Sequence, residues 1–280
     1  MELFGDPAAM RAWSQARRAG GATIALVPTM GALHDGHRVL VDEAQRRAMA
    51  VIISIFVNPI QFDRASDFDR YPRAIEDDLA SCRAAGVDAV YAPSAATMYP
   101  PGFQTRVVPG SLAESLEGEM RPGHFEGVTT VVTKLLAATV PDVAIFGQKD
   151  FQQLAIVRRM VADLDLGIEI VGVPTSREAD GLARSSRNVR LPADDRAAAV
   201  VISTALKAAA AAYADGERDG DRLRATVSER IEREPRAKAE YVAVVDASTL
   251  EPLTTIDRPA VILTAVWFGD VRLIDNQLLG

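Results

Sequence analysis

The chain reads as an α/β protein: a Rossmann-like, doubly wound parallel sheet followed by a smaller C-terminal α+β domain. Three observations carry that reading. Short apolar, β-branched runs at 22–27, 50–57, 87–91, 143–146 and 168–173 have the composition of strands covered on both faces. Helical patterns separate them, which calls for parallel pairing with right-handed crossovers. After Pro174 the alternation stops, and Ala-rich helical stretches precede three late strand patterns. The domain boundary is placed there, with 1–175 as the Rossmann-like domain and 176–280 as the smaller one.

In chain order, residues 7–19 predict an opening helix with Pro7 in its first turn. Strand 22–27 leads to helix 36–48, then strand 50–57. Helix 72–85 has Pro72 at its start, and 87–91 is a short strand. A Pro-rich loop spans 92–102, and 104–108 reads as extended. Segment 117–127 is rich in Gly and charge and reads as an irregular loop, either over a site or on the surface. Helix 128–139, strand 143–146, a helix from 151 onward and strand 168–173 complete the series. Then come loop 176–191, helices at 194–213 and 219–233, and strands at 239–246, 260–267 and 271–275.

Length and composition narrow the classes. With 280 residues the chain buries enough surface to need no staple, and its single Cys82 has no partner for an internal disulfide. Cys82 falls in a helical pattern and is expected to be a buried small apolar residue. The first ten residues lack a basic stretch followed by an apolar one, and no apolar run of ~18 residues occurs. A cytoplasmic protein with no membrane partner is the expectation. A formal net charge of −7 disfavours a nucleic-acid partner, which requires a basic face.

The most informative stretch, 28–37, reads PTMGALHDGH and joins the first strand to its helix. A helix start offers unpaired N–H groups and a positive dipole end, both attractive to phosphate. Gly31 and Gly36 allow tight backbone paths. His34 and His37, three apart, share a face if the helix begins early. Either they cap and pack the helix end, or they meet phosphate oxygens. In a parallel sheet ligands bind beyond the carboxyl ends of the strands. That rule sets 28–37, 58–61 and 147–150 on one rim. Asn58 and Gln61 serve either a turn or a ligand there, and Lys149-Asp150 is either a salt-bridged strand end or a phosphate cation beside a ribose acceptor. Ser185-Ser186-Arg187-Asn188 supplies hydroxyls and a forked guanidinium, as a phosphate loop does or as a solvated linker does. Zinc held by His34, His37 and His124 lacks carboxylate support and is disfavoured. The chain contains no P-loop, dinucleotide fingerprint, zincin or nucleophile-elbow motif.

In order and spacing, PTMGALHDGH, SIFVNPIQF, RPGHFEGV, FGQKDFQQL, READGLARSSRN and the C-terminal LIDN (273–276) resemble the pantoate–β-alanine ligase family, of the H-x-G-H nucleotidyltransferase group. The resemblance spans nearly the whole chain. It implies an ATP- and Mg²⁺-dependent ligase joining pantoate to β-alanine through a pantoyl adenylate, in a cytoplasmic homodimer. The first domain would then bind nucleotide and pantoate, and the second would be a lid carrying the SSRN loop. Met30, Gly31, Ala32, Leu33, His34, Asp35, Gly36 and His37 would hold ATP, with both histidines on the phosphates and His37 as proton donor. Gly147, Gln148, Lys149 and Asp150 would hold ribose and phosphate, with Lys149 on the phosphates. Ser176 would approach the adenine, and Arg184, Ser185, Ser186 and Arg187 would form the phosphate loop. Gln61 and Gln153 would bind pantoate, with Asn58, Tyr71 and Arg187 around the amine substrate. Asp77 and Asp78 match positions associated with magnesium in some relatives. Two departures stand out: Ser81 where such a relative carries Gln, and Arg184 where the family often has Met.

Two rival readings remain. An adenylyltransferase of the same group leaves AMP joined in its product, and the paired Gln61 and Gln153 argue against it. An ATP-sensing module without turnover releases no pyrophosphate.

Overall fold

Strand β1 (Glu2–Phe4) leads into helix α1 (Pro7–Ala19). The helix starts where Asp6 accepts the Ala9 N–H at 2.8 Å and Pro7 occupies the first turn. The computed structural model describes residues 1–280, apart from the side chains at 65 and 66. Its contacts divide the chain into two units, Met1–Gln148 with Gln152–Pro174, and Lys149–Phe151 with Thr175–Gly280.

In the first unit follow β2 (Ile24–Thr29), α2 (Asp35–Arg47), β3 (Ala50–Ile55), α3 (Ala65–Asp69), α4 (Ile75–Ala84) and β4 (Ala89–Tyr91). Then come α5 (Ala95–Met98), α6 (Glu117–Met120), α7 (His124–Thr139), β5 (Val143–Gly147), α8 (Phe151–Asp163) and β6 (Glu169–Val173). All six strands pair in parallel, in the order β1-β4-β3-β2-β5-β6. Alternate residues of β2 serve opposite layers: Ile24 and Leu26 pack with α1, α7 and α8, while Ala25 and Val27 pack with α2 and α4. The chain winds outward from β2 to β3 and β4, then restarts on the other side at β5. The β2–β5 neighbourhood is thus the topological switch point of the sheet.

Four segments of this unit differ from the sequence reading, one being the 92–102 loop, which contains α5, capped where Ser94 accepts the Thr97 N–H. No sequence signal marks β1: three residues with an exposed Leu3 on a sheet edge carry no apolar run. Residues 104–108 form no strand. Two threonine hydroxyls of α7 satisfy Val107 instead, Thr130 accepting its N–H and Thr129 donating to its carbonyl. Segment 117–127 is no irregular loop. It contains α6, and α7 begins at His124 after Gly123, whose φ of 81° only glycine adopts without strain. Gln152, buried on α8, staples this region by accepting from Glu117 N and donating to the Leu112 and Ser115 carbonyls.

Cys82 is buried between α4 and the sheet, and burial, with a smaller push from Asp78, raises its thiol to about 11. Well below that pH the native protein holds almost no thiolate there, and the thiolate is the reactive form. At pH 8 a disulfide reagent is expected to leave the native chain unlabelled and to label one thiol after urea unfolding.

The second unit carries α9 (Ala193–Ala198), α10 (Val200–Ala214), α11 (Gly220–Glu232) and strands β7 (Ala237–Asp246), β8 (Ala260–Phe268) and β9 (Val271–Leu279). The strands form an antiparallel sheet with β8 central. Its inner face packs on α10 and α11 through Ile202, Leu206, Leu223, Val227, Ile262, Val266 and Phe268. The stretch Ala193–Ala214 is long and apolar enough by composition to cross a membrane. In the fold, Ile202, Ala205, Leu206 and Ala209 on α10 are buried in the core of this unit.

Candidate active site

The loop after β2 is built by its own neighbours. Thr29 Oγ1 donates to the Ser54 carbonyl at 2.7 Å and accepts from Gly31 N at 3.1 Å. Gly31 and Ala32 take φ of 84° and 51°, which swings the next amides toward α4. There Asp78 accepts from Ala32 N at 2.9 Å and Leu33 N at 2.7 Å. A Cβ at Gly31 would lie 2.7 Å from Asp78 Oδ2, so the close approach itself requires glycine.

His34 and His37 then close a reciprocal cap at the start of α2. His34 Nδ1 accepts from Gly36 N at 3.1 Å, and His37 Nδ1 accepts from His34 N at 3.2 Å. The rings lie 4.2 Å apart, centroid to centroid. A nitrogen that accepts an N–H carries no proton, so each neutral ring bears its hydrogen on Nε2. This revises the physical reason for the site. The amides of Ala32, Leu33, His34 and Gly36 are committed inside the protein, so the loop is not an open cradle of those four amides, and what stands at the start of α2 is two imidazoles and the dipole end of the helix.

A second construction sits after β3. Burial raises the Tyr99 phenol well above its ordinary value, so its O–H stays protonated and donates to Asn58 Oδ1 at 2.7 Å. Asn58 Nδ2 in turn donates to Gln61 Oε1 at 2.9 Å and to the Gly127 carbonyl at 3.0 Å. Each link fixes the amide orientation of the next. Gln61 is left presenting Nε2, which contacts Met30 Sδ at 3.3 Å and ties this segment to the loop after β2. Arg121 is only a donor, so His124 Nε2, 3.2 Å from it, accepts, and His124 Nδ1–H donates to the Gln61 carbonyl at 2.7 Å. Arg121 is also paired with Asp63 at 2.9 Å. Partial burial raises the Asp63 carboxyl, but the Arg121 guanidinium outweighs it and holds the group below its ordinary value. At Gly127 helix α7 meets the 59–61 turn backbone to backbone: an added Cβ would lie 2.5 Å from the Ile60 carbonyl oxygen.

The first unit thus brings together residues 30–37, Asn58, Gln61 and His124. Gln153 lies half-buried on α8, and Tyr71 is buried against Phe62, their ring centroids 5.8 Å apart. Asp77 and Asp78 are not brought together: Asp77 is exposed on α4, while both Asp78 oxygens hold loop amides. Among the described residues no three His, Cys, Asp or Glu side chains cluster as a metal cage. Tyr99, Arg121 and Gly127 are the residues that sequence reasoning missed. The unusual run RPGHFEGV marks the last two, whereas nothing marks Tyr99 in its Pro-rich loop.

Gly147 ends β5 and Gln148 follows it in the first unit, and the second unit holds the remaining candidates. Lys149 Nζ lies 3.8 Å from Asp150. The Ser176 carbonyl accepts from Arg184 N at 2.9 Å, and Arg177 and Ala183 form a β-bridge that closes the loop. Ser185 Oγ accepts from Arg187 N, and Asn188 Nδ2 donates to Glu178 and to the Ala183 carbonyl. The Arg196 hydrogen bond, outweighing burial, holds the Glu178 carboxyl below its ordinary value. Loop 176–188 is therefore a built structure rather than a solvated linker.

A parallel sheet with a histidine-capped helix at its switch point defines a nucleotide-handling α/β enzyme. The pantoate-beta-alanine ligase family model matches residues 2–278, and the chain belongs to that family. It is 48% identical over 279 residues to the pantothenate synthetase of Syntrophotalea carbinolica, covering 100% of this chain and 99% of the relative. With the pantothenate synthetase of Chloroflexus aurantiacus it shares 53% over 263 residues, 94% of each. The pantothenate synthetase structure from Thermus thermophilus superposes with a TM-score of 0.93 at 43% identity, covering 99% of both chains. The Francisella tularensis pantoate-beta-alanine ligase, described as complexed with beta-gamma ATP and beta-alanine, superposes with a TM-score of 0.79 at 33% identity, over 99% of this chain and 97% of that one.

Proposed function

We infer that this ligase joins pantoate to β-alanine in two steps that consume ATP. In the first, a pantoate carboxylate oxygen attacks the α-phosphorus, the bond to pyrophosphate breaks, and pantoyl adenylate forms. In the second, the β-alanine amine attacks the acyl carbon, AMP leaves, and the amine gives up a proton. Pantoate is already ionised near pH 7, so no protein nucleophile is needed. The protein's work is in-line positioning, charge neutralisation and exclusion of water from the mixed anhydride.

The observation that carries this reading is the Gln61–Met30 contact, which joins the pantoate-type and phosphate-type segments at adjacent strand ends. Residues 30–37 and Gly147–Asp150 are assigned to ATP, with His34, His37 and Lys149 on its phosphates and His37 as proton donor. Ser176 is assigned to the adenine and Arg184–Arg187 to the phosphates. Gln61, through its Nε2 donor, and Gln153 are assigned to pantoate, whose carboxylate and hydroxyls accept. Asn58, Tyr71 and Arg187 are assigned to the surroundings of the amine. Among the described residues no three His, Cys, Asp or Glu side chains cluster, and both Asp78 oxygens accept from loop amides. Mg²⁺ bound to the ATP phosphates would supply charge neutralisation there. The reaction is placed in the cytoplasm, in a homodimer.

An omission assay tests the reading. With ATP, Mg²⁺, pantoate and β-alanine, AMP release is expected to require both organic substrates. Pantoate alone is expected to yield an enzyme-bound adenylate and pyrophosphate. AMP retained in a stable product, or no pyrophosphate at all, would overturn it.

The 121–127 clamp adds a prediction. Gly127→Ala pushes a methyl group into the Ile60–Gln61 backbone. Overpacking of this kind costs about 1–3 kcal/mol. Pantoate KM is expected to rise about tenfold, which corresponds to about 1.4 kcal/mol, with ATP KM unchanged in steady-state kinetics.

A further inference from the structure

The LIDN tetrad near the C-terminus, singled out in the sequence, has no part in the chemistry above. We propose that Asn276, on β9, is a positioning residue that sets the orientation of Lys149. Asn276 is buried, and its Nδ2 donates to the Lys149 carbonyl oxygen at 2.9 Å. Lys149 lies in the single turn, Gln148–Asp150, where β5 hands over to α8. Rotation of a peptide at such a turn swings the side chain it carries, and a hydrogen bond to the carbonyl fixes that rotation.

Asn276 is itself held from both sides. Its N–H donates to Asp275 Oδ1 at 2.8 Å, and β9 pairs Asn276 with Leu263 of the central strand. Asp275, buried, receives both arms of the Arg177 guanidinium, at 2.7 and 3.0 Å. The paired geometry of guanidinium and carboxylate makes this a directional lock rather than a loose attraction. Arg177 also donates to the Gly181 carbonyl at 3.1 Å and stands in the bridge that closes the 176–188 loop. Two adjacent residues of one strand thus fix two segments distant in sequence: Asp275 anchors the base of the loop, and Asn276 anchors Lys149. Both segments carry cations suited to phosphate, so a single strand sets the two to one frame.

This inference rests on the reading of Lys149 as a phosphate contact, and the experiment separates the two. The affinity of the full-length protein for α,β-methylene ATP with Mg²⁺ is measured by titration calorimetry for wild type, Lys149→Ala, Asn276→Asp and the double variant. Asn276→Asp keeps the shape and removes the donor. It is expected to weaken the analogue about tenfold and to raise ATP KM with pantoate KM unchanged. The double variant is expected to bind no more weakly than Lys149→Ala alone, because residues acting through one contact are not additive. Unchanged affinity in Lys149→Ala overturns the underlying reading. A weakened Lys149→Ala beside an Asn276→Asp within twofold of wild type, or additive losses in the double variant, overturns the proposal alone. Asn276→Ser, neutral and too short to reach the carbonyl, repeats the test if the new carboxylate unfolds the chain. Unfolding of both also overturns it, since Asn276 would then serve the strand and not Lys149.

Discussion

His37→Ala is expected to lower kcat by about 100-fold or more, the scale of losing one donor that meets developing charge. The structure makes this substitution a double loss. The ring's Nδ1 caps His34 N, and its Nε2 is the atom assigned to phosphate. Two further variants separate those functions. In His37→Asn the side-chain oxygen falls near the Nδ1 position, so the cap is kept and the distal donor is lost. In His37→Gln the amide nitrogen falls near Nε2, so the donor is kept and the cap is weakened by about 1 kcal/mol. If His37 acts on phosphate, Asn is expected to be as inactive as Ala at an unchanged melting temperature. Gln should recover much of kcat at a lower one. Asn turnover near wild type would reduce His37 to a helix cap.

Lys149→Ala is expected to cost a similar factor, again about 100-fold in kcat. Its ammonium is the charge assigned to the phosphates, and Asp150, 3.8 Å away, is exposed and holds it only weakly. The backbone carbonyl bond to Asn276 does not need the lysine side chain, so the fold should survive. Lys149→Arg keeps the charge but replaces a compact ammonium with a planar fork, and is expected to restore only part of the rate. The measurement is single-turnover pyrophosphate release, which isolates adenylate formation from the amine step. Normal release in Lys149→Ala would remove the residue from the chemistry.

Much of the fold is legible because strand burial writes itself locally. The runs at 22–27 and 50–57 are apolar because β2 and β3 are covered on both faces, and the observed strands fall within two residues of those limits. Helix α1 carries its own Pro and Asp6 cap, and its sequence limits coincide with the observed ones. The reading fails where pairing partners are remote. Val107 does not pair in a strand, because the hydroxyls of Thr129 and Thr130 satisfy its backbone. The 117–127 stretch looks too glycine-rich for regular structure, yet Gly123 starts a helix and Gly127 lets that helix touch the 59–61 turn.

At the candidate site the sequence by itself determined which groups are available: the paired histidines, Gln61, Lys149, and the hydroxyls and guanidiniums of 184–187. It also determined their spacing along the chain, from which the family resemblance followed. Only the tertiary structure decided what each group holds. Asp78 turns out to shape the loop after β2, a chain of hydrogen bonds from Tyr99 orients Gln61, and Asn276 grips the backbone of Lys149. The reason is one of range. A strand or cap depends on neighbours a few residues away, whereas these contacts join residues 41 to 127 positions apart in the Tyr99–Asn58, Asp78–loop and Asn276–Lys149 pairs. They exist only where two backbones approach closely enough for a side chain of one to reach the other.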